Sequence, residues 1–159
     1  MTTDATSRQE DKVRTARSLN PQIIGQAENA LRALLERTLA GTRLAYRHWV
    51  ALSVIAGSEA PADENELAVR VEDVLKVDDA TVRGVIADLH AREVVEPTPD
   101  DRAHIQLTDA GRVLHGDIRA AIGPIVSGLF HEIPEDDLRT AGKVLKLITE
   151  RADEVLAGS

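Results

Sequence analysis

The chain has no cysteine, so disulfides, thiolate zinc sites and cysteine nucleophiles are all excluded. Aromatic residues are almost as scarce: Trp49, Tyr46 and Phe130 are single copies of their types. Aromatic and β-branched residues favour strands, whereas Ala, Leu, Arg and Glu favour helices, and this chain is rich in the second set. An all-β sandwich is therefore disfavoured and a mostly helical protein expected. No stretch approaches the roughly 18 consecutive apolar residues of a membrane span. The polar start MTTDATSRQEDKVRTARS also lacks the apolar core of a secretion signal, so a cytoplasmic location is expected. Chemical motifs are missing too: there is no Gly-rich phosphate loop, no GxSxG and no HExxH. The histidines, His48, His90, His104, His115 and His131, show no paired ligand spacing. No catalytic residue, metal site or cofactor is assigned, and the chain is read as a non-enzyme.

Positive charge is also in short supply. The 19 basic side chains face 27 acidic ones, a net charge of -8 that argues against indiscriminate adhesion to nucleic acid or acidic membranes. The imbalance is uneven: residues 63–107 hold five basic and twelve acidic side chains. With 159 residues, one domain with a full-sized core is expected.

Residues 1–18 mix charges with Ser and Thr and carry no apolar periodicity, so they read as a disordered arm ahead of a single domain over 19–159. Asn20 and Pro21 supply an N-cap and a first helical residue; Ile23, Ile24, Ala27, Leu31, Leu34, Leu35 and Leu39 then share a helical face that ends near Gly41. A second helix is predicted over Leu44–Ala56 with Gly57 behind it, followed by the connector SEAPAD. In ENELAVRVEDVL the residues Leu67, Ala68, Val71, Val74 and Leu75 form an apolar stripe. After the break KVDD, Val82, Val85, Ile86 and Leu89 resume helical spacing, with Asp78 or Asp79 as N-cap. Two short helices across a tight turn make a helix-turn-helix. The period then changes: Ile105 and Leu107 alternate with His104 and Gln106 after a turn marked by Pro97, Pro99 and paired Asp residues, which reads as a β-hairpin. Thr108 caps the next helix, and Pro134 opens the last one. There Leu138, Ala141, Leu145, Ile148, Ala152 and Val155 follow a heptad seam that asks for a partner helix.

In this setting DDRAHIQLTDAGRVL resembles the wing and following helix of MarR-family winged-helix regulators, with their Asp-Arg pair and Leu-Thr-x-x-Gly step at Asp101, Arg102, Leu107, Thr108 and Gly111. ATVRGVIADLHAREVV similarly resembles the family's recognition helix and its exit into the wing. The resemblance spans roughly residues 20–157. It implies a fold that is mainly α with a small β-hairpin wing: a winged helix-turn-helix core at about 44–107 plus N- and C-terminal dimerisation helices at about 20–40 and 108–157. Departures fall at Ala103, where many relatives have a second Arg, at Glu93 or a neighbour, where they have Gly, and at Pro97, where they have a basic residue. The resemblance further implies a homodimer that sets two recognition helices in successive major grooves of double-stranded DNA, at a pseudo-palindromic promoter site.

The candidate DNA-binding residues are Thr81, Arg83, Arg102, Arg92, Arg70 and Lys76. Arg83 lies early in the recognition helix, where its fork can pair with guanine O6 and N7, or it can pair with Asp79 or Asp88. Thr81 can cap locally or touch base or phosphate. Arg102 can enter the minor groove from the wing tip, or pair with Asp100 or Asp101. Arg70, Lys76 and Arg92 are candidate phosphate clamps, and Arg8, Lys12, Arg14 and Arg17 of the arm can add diffuse attraction. Tyr46, Arg47 and Trp49 form a candidate pocket for a small aromatic effector, although Trp49 can equally anchor a helix junction. A second reading keeps the fold and dimer but loses DNA binding, leaving a protein-interaction module that works through its acidic head.

Overall fold

A computed structural model of the chain describes residues 19–58 and 61–158. The arm expected at 1–18 lies outside the described residues. The chain divides into two compact units, one ending at Ile118 and the other beginning at Arg119.

The first unit opens with α1 (Pro21–Leu39), where Asn20 Oδ1 accepts the Ile23 amide at 3.0 Å and Pro21 takes the first helical position. The helix stops at a turn in which Leu39 O accepts both the amide and the hydroxyl of Thr42. The second helix, α2 (Tyr46–Ala56), begins two residues later than predicted. Leu44 is instead buried in the connector, and the Ala45 amide donates to His48 Nδ1 at 3.0 Å to cap the first turn. Ala51, Leu52 and Ile55 turn inward from it.

Next come β1 (Ala62–Asp63), α3 (Glu64–Leu75), α4 (Asp79–Ala91), β2 (Val95–Pro97) and β3 (His104–Leu107). Asp63 caps α3, and Leu67, Ala68 and Val71 are buried as the stripe predicts. Val74 breaks the expected stripe and is exposed in the last turn of α3, which ends in the left-handed turn at Lys76 (φ 52°). Asp78 caps α4, and its four predicted apolar residues, Val82, Val85, Ile86 and Leu89, are all buried. They meet Leu39, Leu52, Leu67, Val71 and Ile105 in the core. The sheet has the antiparallel order β1-β3-β2, with Ala62 opposite Ile105, and Val95 opposite Leu107. Pro97 ends the edge strand β2, the one place in a ladder where a missing donor is harmless. β1 went unread in SEAPAD because two residues are too few to show alternation.

The step LTDAG forms the joint between wing and helix α5 (Asp109–Phe130). The Thr108 hydroxyl donates to Glu93 O at 2.7 Å and accepts the Gly111 amide at 2.9 Å, while the Thr108 amide donates to Val94 O at 3.1 Å. Glu93, just past the end of α4, occupies the left-handed region at φ 57°, which favours glycine. A side chain there costs roughly 1–2 kcal/mol. Glu93→Gly is therefore expected to raise the unfolding free energy by about 1 kcal/mol, after allowing for the extra freedom of glycine in the unfolded chain. A shift of the urea midpoint to higher concentration checks this; a shift to lower concentration contradicts it.

The second unit carries the end of α5, through Pro124, and α6 (Glu135–Ala157). No described residue of α6 is buried. Among its seam residues Leu145 is 41% exposed, Ile148 42% and Val155 70%.

Candidate nucleic-acid interface

Helix α3, the turn at 76–78 and helix α4 form a helix-turn-helix, with the β2–β3 hairpin following as a wing. Burial of Val82, Val85, Ile86 and Leu89 turns the opposite face of α4 outward. That face presents Ala80, Arg83, Gly84, Ala87, Asp88 and Ala91, all exposed. Apart from its charged members it is shallow, so a surface that meets it can approach the backbone closely.

Thr81 is half-buried and serves the cap: its amide donates to Asp78 Oδ1 at 2.7 Å. That amide bond, assisted by the Thr81 hydroxyl, holds the Asp78 carboxyl below the usual aspartate range. Arg83 is exposed and held from two helices. Its Nε donates to Asp79 Oδ2 at 2.8 Å and its Nη2 to Asn65 Oδ1 at 3.2 Å. The hydrogen bond that Arg83 donates to Asp79 raises the guanidinium pKa above its ordinary, already high value. Of the two acids the sequence offered as partners for Arg83, Asp79 takes the role, whereas Asp88 accepts from His48 Nε2 at 3.2 Å. Because His48 Nδ1 accepts the Ala45 amide, the ring proton sits on Nε2 and links α2 to α4.

Arg102 stands exposed in the wing turn, with no hydrogen bond or ion pair to its side chain among the described residues. Neither acid offered as its partner takes it. Asp101 instead accepts the Ala103 amide at 2.9 Å and bonds His104 Nδ1 at 2.9 Å, contacts that hold its carboxyl below the usual range. Thr98 closes the same turn, its hydroxyl donating to Asp101 O at 2.7 Å. The wing tip is tied to the start of α3, where the Glu64 amide donates to Ala103 O at 2.8 Å beside the Asp63–His104 pair of the sheet. The first turn of α3 thus touches the residue beside Arg102 through Glu64 and Arg83 itself through Asn65. Sequence reasoning missed Asn65, since its partner lies 18 residues away and no local spacing reveals the pair.

The other cations are more dispersed. Arg70 Nη1 donates to Ser58 Oγ at 3.0 Å, Lys76 Nζ meets Asp73 Oδ1 at 2.8 Å, and Arg92 is exposed just past α4. Much of the local acidity has structural work: Asp63 and Asp78 cap helices, Glu64 lies 3.6 Å from His90 Nε2, and Glu96 accepts from Gln106 across the hairpin. In the proposed effector cluster, Trp49 stacks on His115 of α5 with centroids 5.2 Å apart and planes at 22°. This is the geometry of a helix-junction anchor. Tyr46 is half-buried at the start of α2, and Arg47 is exposed and acts electrostatically on Asp78.

The helix-turn-helix, the three-stranded sheet and the wing define the chain as a winged-helix protein. No protein-family model and no curated protein matches it. Solved structures do. It is similar to a MarR-family transcriptional regulator from Rhodococcus sp. RHA1, with 20% identity, coverage of 84% of this chain and 97% of that one, and a TM-score of 0.66. It is also similar to CouR from Rhodococcus jostii RHA1 bound to p-coumaroyl-CoA, with 20% identity, coverage of 80% and 89%, and a TM-score of 0.68. A mutant MarR from E. coli complexed with operator DNA gives 20% identity, coverage of 80% and 91%, and a TM-score of 0.63. The chain has the winged-helix fold of MarR-family regulators, the family its sequence resembles.

Proposed function

We propose that the chain is a DNA-binding transcriptional regulator that acts as a homodimer on a pseudo-palindromic promoter site. The observation that carries this reading is the pairing of two exposed arginines, Arg83 on the recognition helix and Arg102 on the wing, referenced to one another through the first turn of α3. In this reading Arg83 contacts a base edge in the major groove, Arg102 enters the adjacent minor groove, and Arg70, Lys76 and Arg92 approach phosphates. Thr81 contributes through its cap, which fixes the start of α4. The half-exposed apolar seam of α6 supports a homodimer, and two-fold symmetry then places half-sites about 10–10.5 base pairs apart. Because one of the similar structures holds p-coumaroyl-CoA, an aromatic effector near Tyr46, Arg47 and Trp49 is included in the proposal. Such an effector acts only by preferring a dimer whose recognition helices are wrongly spaced for the groove.

The surplus of carboxylates in residues 63–107 favours a second reading, a dimeric protein-interaction module of the same fold without DNA binding. Selection of bound genomic fragments at two salt concentrations, followed by mobility shift, separates the two. Under the first reading fragments are enriched and affinity falls as salt rises, with a shallow slope because few cations contact phosphate. Arg83→Ala or Arg102→Ala then lowers affinity about tenfold or more. Failure to retain any fragment at either salt concentration favours the second reading.

A further inference from the structure

An arginine guanidinium carries five N–H donors in a planar fork. Arg83 is held from two different helices: Nε donates to Asp79 Oδ2 at 2.8 Å, one turn back on α4, and Nη2 to Asn65 Oδ1 at 3.2 Å, from the first turn of α3. Nη1 has no hydrogen-bond partner among the described residues. Nη1 and a second Nη2 proton are the donors left to meet a base, and a guanidinium end that presents two donors matches guanine O6 and N7. The Asn65 backbone is fixed in the cap of α3, where its main-chain N–H donates to Asp63 Oδ1 at 2.8 Å.

We propose that Asn65 and Asp79 are positioning residues that clamp Nε and Nη2 of Arg83 and present the donors left on its guanidinium end to one guanine in each half-site. Asn65 is thereby a determinant of base specificity although it lies outside the recognition helix. The inference rests on the reading of the chain as a DNA-binding regulator. Physically, the clamp fixes a long side chain before DNA arrives, so less freedom is lost on contact with the correct base. A loose arginine would still meet a phosphate or a neighbouring base, so the clamp acts on discrimination more than on general attraction.

The test uses the full chain and a duplex recovered by genomic selection, with guanine or 7-deazaguanine, which lacks the N7 acceptor, at each G position in turn. Wild type is expected to discriminate at one guanine per half-site, and Arg83→Ala to lose that discrimination. Asn65→Ala is expected to reduce it about threefold to tenfold, with binding to unrelated DNA and the melting temperature unchanged. Asn65→Asp, which keeps the acceptor oxygen, is expected to restore the discrimination even where its extra negative charge weakens binding overall. Discrimination that survives in Asn65→Ala but is lost in Arg83→Ala would overturn the positioning role and leave DNA binding intact. Discrimination that Arg83→Ala leaves unchanged would overturn the arginine contact as well. Recovery of no fragment by wild type would overturn the DNA-binding reading and this inference together.

Discussion

Gly111→Ala is expected to destabilise the first unit by about 3 kcal/mol, toward the upper end of what overpacking costs. A Cβ built at Gly111 would stand 2.0 Å from Val94 O and 2.9 Å from Val94 C, which are backbone atoms and cannot rotate away. The carbonyl is pinned as well. Val94 O accepts the Thr108 amide, and the Thr108 hydroxyl bridges Glu93 O to the Gly111 amide, so any retreat breaks the joint that sets the wing against α4. The same helix supplies a control of opposite sign. A Cβ at Gly116 meets nothing within 4 Å, and Gly116→Ala is expected to stabilise by about 0.5–1 kcal/mol through helix propensity and a less free unfolded chain. Urea unfolding of the two variants against wild type checks both signs. A Gly111→Ala midpoint within error of wild type would mean that the α5 start and Val94 are not locked together.

The value of Gly111 was present in the sequence only as part of a family-like step, and its reason became clear from the Val94 carbonyl beside it. Other features were plain from local pattern. Val82, Val85, Ile86 and Leu89 recur at helical spacing, and all four are buried because spacing alone determines which face of a helix turns inward. Local pattern fails where the decisive neighbour is distant or the element is short. Val74 fits the stripe of α3, yet in the helix's last turn it stands exposed, with the core neighbours Leu67, Ala68 and Val71 all lying earlier in the helix. Leu44 is apolar enough to join α2, but Thr42 closes a turn that keeps it in the connector. At the interface the alternatives for Arg83 could be enumerated within one helix, whereas Asn65 could not, since only folding brings α3 beside it. The wing shows the converse: Asp100 and Asp101 are neighbours of Arg102 in sequence, but the turn spends Asp101 on Ala103 and His104.

Placing aspartate on the heptad seam of α6, as Leu145→Asp together with Ile148→Asp, is expected to produce the largest functional loss. Both side chains are more than two-fifths exposed in the single chain, and no described residue of α6 is buried. Leu138, Ala141, Leu145, Ile148, Ala152 and Val155 nonetheless keep the 3-and-4 spacing that a packed helix requires. If a second copy covers this seam, each new carboxylate must be desolvated without a partner. Even a cost of about 3 kcal/mol weakens the dimer more than a hundredfold. Sedimentation at micromolar concentration should then give a single chain where wild type gives a dimer. Lys143→Asp, on the polar side of the same helix, should leave the dimer intact. The consequence for DNA is larger than for assembly, because linking two half-site contacts in one particle multiplies affinity by about 10²–10⁴ over one contact alone. The double variant should accordingly bind a two-half-site duplex no better than a single half-site. Its melting transition in the first unit should stay close to wild type, because none of the buried core residues lies in α6. Wild type that sediments as one chain, or a double variant that remains dimeric, would remove α6 from the interface and with it the symmetric reading of the site.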